Sequence, residues 1–273
     1  MTQHRRRLEG KVAIVTGAGS SGAGVGTGKA TSIVFAREGA KVLLVDRDPK
    51  VAHETLEVIE RAGGVASVFE ADVAKIGDCE ALVNAAVERY GGLDILFNNV
   101  AILSLGSVVD ADEQEWDRIM QVNVKSMMLT SKFAVPRMSS SGGGSIINVS
   151  SVEAFRGGAN QLIAYSVSKG AIVTLTTSMA VQHGRENVRV NGIVPGYLYT
   201  PLISGFLSDE DREEIRDRRR NSAPLGVEGN AWDIAWAAAF LASEEARWIT
   251  GVMLPVDAGL LATMPPAMLQ HLK

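Results

Sequence analysis

The 273-residue sequence has very little cysteine and no long apolar run. Cys79 is the single cysteine, so an internal disulfide is excluded and a reducing compartment is expected. A membrane-spanning helix needs about 20 consecutive apolar residues, and no run approaches that length, so no membrane partner is predicted. The arginines at positions 5–7 are not followed by an apolar segment. We therefore predict no signal peptide and a cytoplasmic protein.

An excess of positive charge and a cluster of histidines are also missing. The formal net charge is −4, which argues against nucleic acid as a partner. Metal sites need several ligands at a regular spacing. His4, His53, His183 and His271 are scattered along the chain without such spacing, so we predict no metal.

The chain does contain a regular alternation of short β-branched runs and longer amphipathic stretches. Strands are predicted at 12–15, 41–45, 65–70, 93–97, 145–149, 188–193 and 251–256, and helices at 27–38, 49–62, 76–90, 113–138, 164–183 and 232–243. Nearly continuous apolar strands that alternate with helices are typical of a parallel sheet covered on both faces. We therefore predict one Rossmann-like, doubly wound α/β domain of about seven strands over 10–262, with tails at 1–9 and 263–273. A closed (β/α) barrel is the alternative, but it leaves the glycines after the first strand unexplained.

Six of the twelve residues from 17 to 28 are glycines, and they lie between the first predicted strand and the first predicted helix. Glycine allows left-handed backbone conformations and lets backbone N–H groups approach a pyrophosphate closely. A G-x-G-x-x-G pattern begins at Gly17, but it does not lead directly into the helix and is weak by itself. A nucleotide-hydrolase loop does not fit, because Ala30 follows Lys29 where that loop needs Ser or Thr. The turn predicts a dinucleotide site, with a flexible loop that binds nothing as the alternative.

Asp46 closes the second predicted strand. A carboxylate at that position accepts hydrogen bonds from the adenosine ribose and repels a 2′-phosphate, which favours NAD over NADP as the cofactor. Arg47 follows directly and weakens this preference. An aspartate that only starts the loop is the alternative interpretation.

Tyr165 and Lys169 lie four residues apart on a predicted helix, fourteen residues after Ser151. Positions i and i+4 share a helix face, so the phenol and the amine can reach one site. An ammonium about 4 Å from a phenolate contributes ~4 kcal/mol at an effective dielectric of about 20, and each pKa unit corresponds to ~1.4 kcal/mol. We therefore predict that Lys169 lowers the pKa of Tyr165 towards neutrality, where it can exchange a proton with an alcohol or ketone. A surface tyrosine beside a solvated lysine is the alternative.

In this order, the features resemble the short-chain dehydrogenase/reductase family, over about Leu8 to Leu260. Thr16-Gly17 and Gly26-Thr27-Gly28 are similar to the two ends of its TGxxxGxG turn, Asp72-Val73 to its adenine-contacting pair, and Asn98-Asn99-Val100-Ala101 to its NNAG element. Pro195-Gly196 with Thr200 resembles PGxxxT, which grips the nicotinamide, and Val256-Asp257-Ala258-Gly259 resembles VDGG. The resemblance implies cofactor contacts from Gly17, Gly26, Thr27, Gly28, Asp46, Asp72, Val73, Asn99, Tyr165, Lys169, Pro195, Gly196, Leu198 and Thr200.

Three departures from the family motifs are visible. Eight residues, instead of three, separate Gly17 from Gly26, which we interpret as a five-residue insertion that widens the phosphate loop. NNAG has become NNVA, and Val100 and Ala101 still suit a buried turn. VDGG has become VDAG, which matters only if residue 258 needs a positive φ.

By resemblance, Asn123, Ser151, Tyr165 and Lys169 form the catalytic group. Tyr165 is expected to take the alcohol proton while hydride leaves for the nicotinamide, and Lys169 also to bind the nicotinamide ribose. Ser151 is expected to donate a hydrogen bond to the substrate oxygen, with Ser150 as the competing serine. Asn123 is expected to hold a water that links Lys169 to solvent.

Three segments are expected to close the substrate cleft, 101–109, 152–163 and a lid at about 197–225. Their mixture of side chains suits a partly apolar secondary alcohol or ketone, although the apolar groups also suit packing on one another. The candidates are Leu103, Leu105, Phe155, Leu162, Leu202, Ile203 and Phe206, beside Glu153, Arg156, Asn160 and Gln161. The segment 208–220, with acids first and bases last, suits a solvated lid helix, and a patch for an anionic substrate is the alternative.

The predicted helices 113–138 and 164–183 carry small and apolar residues on more than one face. We therefore predict a homotetramer formed through them, as the resemblance implies. Three other functions stay open. They are an NADPH-dependent reductase of ketones or 3-oxoacyl thioesters, a non-catalytic dinucleotide-sensing protein, and a nucleotide-sugar epimerase or dehydratase, for whose additional substrate domain the chain has no room.

Overall fold

The computed structural model describes residues 6–22, 24–157, 161–201 and 212–263. Within these ranges, seven parallel strands form one sheet in the order β3-β2-β1-β4-β5-β6-β7. The strands are β1 (Val12–Thr16), β2 (Lys41–Asp46), β3 (Val65–Glu70), β4 (Ile95–Asn98), β5 (Gly144–Val149), β6 (Val188–Pro195) and β7 (Met253–Val256). The predicted doubly wound α/β sheet is confirmed. Residues 1–5 and 264–273, which make up most of the predicted tails, lie outside the described ranges.

Helices cover both faces of the sheet. They are α1 (Thr27–Arg37), α2 (Pro49–Arg61), α3 (Ile76–Tyr90), α4 (Glu113–Met120), α5 (Ser126–Ser140), α6 (Ile163–His183), α7 (Arg212–Asn221) and α8 (Ala231–Ala242). None of the helices in the described ranges combines the length and the apolar character that crossing a membrane requires.

The core follows from the alternation of side chains along each strand, which sends successive residues to opposite faces. In β1, Ala13 and Val15 pack in the layer that contains residues of α1 and α8. Val12 and Ile14 pack in the opposite layer, with residues of α3 and α5. Because both faces of β1 are buried, its carboxyl end is held firmly, and so is the turn that leaves it.

The order of the strands places a crevice at the carboxyl end of β1. The chain runs outward from β1 to β2 and β3, and then returns to β4 on the other side of β1. The connections after β1 and β4 therefore diverge, and ligands bind at such a point in sheets of this type. The side-chain N–H of Asn99, just after β4, donates to the carbonyl oxygens of Thr16 (3.2 Å) and Gly17 (3.3 Å). These bonds fix the two strand ends beside each other.

The predicted helix 113–138 is interrupted. A π-helical segment, Gln121–Lys125, joins α4 to α5, and Asn123 is fully buried within it. Single π turns inside α-helices are frequent at functional sites. Hydrophobic periodicity reports which face of a helix is buried, not which carbonyl each N–H reaches, so the sequence predicts one unbroken helix.

Candidate active site

A cleft of about 980 Å³ runs along the carboxyl edge of the sheet, and we call it the glycine cleft because the turn at 17–28 lines it. Two positions in this turn require glycine. Gly17 has a φ of 66°, in the left-handed region. A Cβ on Gly28 would lie 1.8 Å from the carbonyl oxygen of Gly17. The backbone at Gly28 therefore packs so closely against the backbone at Gly17 that a residue with a side chain does not fit.

The N-terminus of α1 lies at this cleft, where Thr27 and Gly28 line it. The first N–H groups of a helix have no partner within the helix, and they favour negative charge. The first turn of α1 contains no acidic residue that would oppose an anion. The N–H of Gly26 donates to the hydroxyl of Ser20 at 2.8 Å, which holds the turn against the helix start. These residues fit the pyrophosphate of a dinucleotide.

The additional residues between Gly17 and Gly26 connect two walls of the cleft. Cβ atoms built on Gly22 and Gly24 would each lie 3.7 Å from the side chain of Pro201. Pro201, at the start of the predicted lid, also lines the cleft. The insertion therefore brings the glycine turn up to the lid, although Ala23 lies outside the described residues.

Asp46 lines the cleft at the end of β2, with Arg47 beside it. Its carboxylate accepts the N–H groups of Gly19 at 3.0 Å and Asp48 at 3.2 Å. Asp46 therefore ties the glycine turn to β2 besides being exposed to the cleft. The predicted adenine contacts, residues 72–73 after β3, line the same cleft.

Sequence reasoning assigned no role to three further residues of the glycine cleft, Lys29, Val51 and Glu54. Lys29 and Glu54 form an ion pair at 3.4 Å. A Cβ on Gly19 would lie 2.3 Å from the Val51 side chain, so Val51 packs directly against the turn. The start of the second predicted helix, immediately after Asp46, is the signal that could have located Val51 and Glu54.

A second cavity, the inner cavity, has a volume of about 140 Å³. Both cavities are lined by Thr27, Asn99, Ala101 and Thr200, so they adjoin. Ser151, just after β5, lines the inner cavity together with Tyr165 and Lys169 of α6. Three of the four predicted catalytic residues therefore meet next to the glycine cleft.

The two adjacent serines have different surroundings. The hydroxyl of Ser150 donates to the main-chain carbonyl of Lys169 at 2.8 Å, so its proton is already used. The hydroxyl of Ser151 accepts the N–H of Glu153 at 3.2 Å, which leaves its own proton for another acceptor. Ser151 is therefore the better donor to a substrate oxygen.

Lys169 is almost fully buried, with 1% of its surface exposed. Its Nζ donates to the carbonyl oxygen of Val149 at 2.8 Å and lies 5.5 Å from the centre of the Tyr165 ring. Among the described residues it has no carboxylate partner. Burial disfavours the charged amine and lowers the pKa of Lys169 to about 7. The amine is therefore only partly charged at neutral pH.

Burial changes the pKa of Tyr165 in the opposite direction, although part of the ring is open to the inner cavity. Surrounding protein raises its pKa from 10.0 to about 12; the Ser151 hydroxyl, as a hydrogen-bond partner, lowers it, and the Glu153 carboxylate raises it. The prediction that Lys169 lowers the pKa of Tyr165 towards neutrality is therefore wrong for the chain alone. The physical reason is that desolvation of both groups outweighs their attraction, while Nζ faces a carbonyl.

The side chain of Asn123 is used within the protein. Its Oδ1 accepts the N–H of Ile102 at 2.8 Å, and its Nδ2 donates to the Ile102 carbonyl at 2.9 Å and to the Ser168 hydroxyl at 3.0 Å. Asn123 thereby connects the segment after β4 to α6, next to Lys169. Because both amide hydrogens are used, its expected contact with a relay water stays a prediction.

The end of β6 and the segment after it form another wall of the inner cavity, which is lined by Pro195, Gly196, Tyr197, Leu198 and Thr200. A Cβ on Gly196 would lie 2.6 Å from Cα of Asp257, so this wall rests on the VDAG motif. Ala258 has a φ of 55°, in the left-handed region. In VDAG, alanine therefore adopts a backbone conformation that the glycine of VDGG would adopt at a lower energetic cost.

The predicted substrate contacts are only partly brought together. Leu162 lines the inner cavity, whereas Leu105 and Phe155 are 68% and 48% exposed. Four of the candidates lie outside the described residues: Asn160, Leu202, Ile203 and Phe206.

Three polar residues also line this cavity, Glu153, Tyr197 and Arg219. All three fall in segments that are predicted to close the cleft, 152–163 and the lid at about 197–225. Arg219 belongs to a helix that is predicted to be solvated, and a run of neighbouring arginines gives no sign of which one turns inward.

Comparisons with known proteins agree with one another. A family model described as enoyl-(acyl carrier protein) reductase matches residues 22–261. A 2-(S)-hydroxypropyl-CoM dehydrogenase of Xanthobacter autotrophicus is 39% identical over 257 residues, which are 94% of this chain and 98% of that protein. The solved structure of a candidate short-chain dehydrogenase/reductase from Burkholderia xenovorans has 39% identity and a TM-score of 0.89, and the match covers 94% of this chain and 99% of the other. A 7α-hydroxysteroid dehydrogenase solved with NADH and 7-oxo glycochenodeoxycholic acid has 33% identity and a TM-score of 0.86, with 95% and 98% covered.

Proposed function

The chain belongs to the short-chain dehydrogenase/reductase family of oxidoreductases, and on that premise we propose that it transfers hydride between NAD and a secondary alcohol or ketone. One observation carries the proposal. Ser151, Tyr165 and Lys169 line one cavity, which shares wall residues with the glycine cleft. A substrate in the inner cavity is therefore next to a dinucleotide in the glycine cleft, and such proximity is what a direct transfer needs.

For the cofactor, the glycine turn and the start of α1 would hold the pyrophosphate, and Asp46 the adenosine ribose. NAD is favoured because the Asp46 carboxylate opposes a 2′-phosphate. Residues 72–73 would contact the adenine, and residues 195–200 the nicotinamide.

A second candidate is an NADPH-dependent reductase of ketones or acyl thioesters. Arg47 and Lys29 line the same cleft as Asp46 and would attract a 2′-phosphate. The ion pair between Lys29 and Glu54 weakens that attraction, so NAD remains the first choice.

When bound, the nicotinamide supplies the hydride acceptor or donor. Tyr165 exchanges a proton at the substrate oxygen, as an acid towards a ketone and as a base towards an alcohol. Ser151 donates a hydrogen bond to that oxygen and stabilises the charge that develops on it.

The raised pKa of Tyr165 suits the acid role directly, because the phenol keeps its proton at neutral pH. The base role requires this pKa to fall. We propose that Lys169 is fully protonated only in the complex, where it would hold the ribose hydroxyls and they would replace part of the solvation that burial removes. A charged Lys169 would then lower the pKa of Tyr165.

The proposal extends to assembly and location. Met128 of α5 and Val167 of α6 are each 41% exposed, and these helices are the ones predicted to pair. We propose a homotetramer, and a light-scattering mass equal to the 29.0 kDa of one chain would contradict it. A cytoplasmic location is proposed because the single cysteine, Cys79, is a free, buried thiol.

The direct test is a panel of sterols, polyols, cyclic alcohols and hydroxyacyl esters, incubated with NAD or NADP, with the reduced cofactor followed by absorbance. We expect NADH to form with at least one alcohol, and kcat/KM to be higher with NAD than with NADP. A higher value with NADP would favour the second candidate. Tight NADH binding without turnover of any alcohol would favour a dinucleotide-sensing protein and contradict the proposal.

A further inference from the structure

Arg219 is a charged residue of the inner cavity that the mechanism above does not use. It lies on α7 and lines the cavity together with Ser151 and Tyr165. It is not among the residues that line the glycine cleft. Its guanidinium therefore lies on the side of the substrate and not on the side of the pyrophosphate.

Neighbouring arginines on α7 have acidic partners. Arg216 donates from two nitrogens to the carboxylate of Glu228, at 2.8 and 2.6 Å. Arg220 pairs with Glu213 at 3.6 Å. Arg219, in contrast, forms no hydrogen bond and no ion pair within the described part of the chain. Arg218 also lacks an acidic partner among the described residues, but its side chain is exposed, whereas Arg219 is partly buried against the cavity.

Tyr197 holds Arg219 against the cavity wall. The guanidinium carbon lies 5.5 Å from the centre of the Tyr197 ring, within the range of a cation–π contact. Burial lowers the pKa of Arg219, which means that the guanidinium has lost part of its solvation. A desolvated charge without an ionic partner is costly, and an anion beside it would offset that cost.

Within the described part of the chain, the charges around Arg219 that are not paired with an opposite charge are more positive than negative. Glu153 is the carboxylate on the cavity wall, and it attracts Arg219 without forming an ion pair with it. Burial raises the pKa of Glu153, and the Ser166 hydroxyl acts on it as a hydrogen-bond partner. A second guanidinium, that of Arg156, donates to the carbonyl oxygens of residues 261 and 263. Glu228 also acts on Arg219, but its carboxylate is bound to Arg216. Among the residues that the structure describes, Glu153 is therefore the carboxylate near Arg219 that no guanidinium pairs with directly, against the two guanidinium groups of Arg219 and Arg156.

We propose that Arg219 binds an anionic group of the substrate, so that the substrate is a secondary alcohol or ketone that carries a carboxylate, sulfonate or phosphate. This inference rests on the proposed function and names the substrate class of that site. The guanidinium fork matches two oxygens of such a group, and a charge-assisted pair is stronger and more specific than a neutral one. Because Arg219 and Tyr165 line one cavity of about 140 Å³, the anion lies close to the reacting carbon.

The test compares charged alcohols with uncharged partners: 3-hydroxybutyrate with its methyl ester, and glycerol 3-phosphate with glycerol. We expect the wild type to prefer the charged member of at least one pair. Arg219→Gln should lower kcat/KM for that member by about 10- to 100-fold and leave the uncharged member nearly unchanged. Arg219→Lys should retain part of the preference. Arg218→Gln, which alters an exposed neighbour on the same helix, is the matched control and should change neither value.

A second measurement is isothermal titration of the NADH complex with acetate and with inorganic phosphate. Saturable binding is expected in the wild type and in Arg218→Gln, and its loss in Arg219→Gln. Affinity for NADH itself should be equal in all three proteins, and a fall in Arg219→Gln would instead place Arg219 on the cofactor.

The outcomes separate this inference from the proposed function. If uncharged alcohols are oxidised as well as charged ones and Arg219→Gln changes nothing, the inference is wrong and the dehydrogenase stands. If no alcohol is oxidised but anions still bind through Arg219, the proposed function is wrong and the anion site stands. An absence of saturable anion binding together with an unchanged charged-to-uncharged ratio would overturn the anion site.

Discussion

The glycine cleft and the inner cavity share a wall, but the cleft is shaped by backbone packing, whereas the inner cavity contains buried titratable side chains. The cleft depends on backbone, since a Cβ on Gly28 would meet the Gly17 carbonyl at 1.8 Å. The inner cavity depends on buried charge, and burial shifts the pKa values of both Tyr165 and Lys169. Under the proposed function, the place of the cofactor is therefore fixed by sterics that the chain already has without a ligand. Proton transfer, in contrast, would depend on the charge of Lys169, which we propose to change when the cofactor binds.

Substitution of Gly28 is expected to have the largest effect on the cleft side of this comparison. Gly28→Ala forces a Cβ against backbone, so we expect a loss of more than about 3 kcal/mol in the free energy of unfolding and at least tenfold weaker NADH binding. Urea unfolding and a fluorescence titration with NADH measure both. Gly77→Ala is the matched control, because Gly77 lies in α3 with open space around its Cβ position. Gly77→Ala should stabilise the protein by about 0.5–1 kcal/mol. If Gly28→Ala instead has the stability and the NADH affinity of the wild type, the claim that the cleft depends on backbone packing is wrong.

Asp46 tests whether the cleft also depends on charge. We expect Asp46→Ala to reduce the preference for NAD over NADP, measured as a ratio of kcat/KM values, by about 10- to 100-fold. Asp46→Asn keeps an acceptor for the N–H groups of Gly19 and Asp48 but removes the charge. Both variants should therefore lose the preference. If Asp46→Asn keeps the preference for NAD, Asp46 acts by supporting the glycine turn and not by repelling a 2′-phosphate.

Lys169 tests the inner cavity through the pH dependence of stability. Its pKa is about 7 in the folded chain and near 10.5 when unfolded, so the unfolded state binds more protons between these values and stability rises with pH there. Below pH 7 the full cost of burying the charge is present. We expect Lys169→Met to be more stable than the wild type below pH 7, by on the order of 1–3 kcal/mol, and to lack this rise.

Urea unfolding at a series of pH values measures the effect of Lys169→Met. The series should end at pH 9, because burial raises the pKa of the Cys79 thiol from 9.0 to about 11, which contributes the opposite trend above pH 9, and Tyr165 adds to that trend above pH 10. Parallel stability curves for the variant and the wild type would show that the amine is not desolvated.

The smallest expected effect belongs to the support of the inner cavity, at Ala258. Its left-handed backbone, with a φ of 55°, costs alanine about 1–2 kcal/mol, and glycine avoids this cost but loses more entropy on folding. We expect Ala258→Gly to raise the free energy of unfolding by up to about 1 kcal/mol. Ala262→Gly, four residues further in a 3₁₀ turn, is the control and should be destabilising. A loss of stability in Ala258→Gly would contradict the claim that the left-handed backbone of Ala258 is strained.

Much of the fold could be predicted because its determinants are local. Apolar strand runs, the glycines after β1 and the spacing of Tyr165 and Lys169 are all properties of short segments, and the sheet order brings them to one edge. The predicted catalytic side chains of Ser151, Tyr165 and Lys169 do line one cavity.

Other properties depend on tertiary surroundings and could not be predicted. Spacing places Lys169 near Tyr165, but the pKa of each follows from how much protein surrounds it, which spacing does not report. The π turn at Asn123 changes the hydrogen-bond partner of each residue without changing the apolar pattern. The inward orientation of Arg219 depends on its contact with Tyr197, which lies 22 residues earlier in the chain.

The most direct test of this account is a paired measurement on Tyr165→Phe, with kcat for an accepted alcohol and the dissociation constant for NADH determined on the same preparation. The account predicts that kcat falls by about 100-fold or more while NADH affinity stays within a few-fold of the wild type. Tyr197→Phe, which removes another hydroxyl from the inner cavity and keeps the ring, should retain most of the turnover. Near-normal turnover in Tyr165→Phe would contradict the central claim that this hydroxyl transfers the proton.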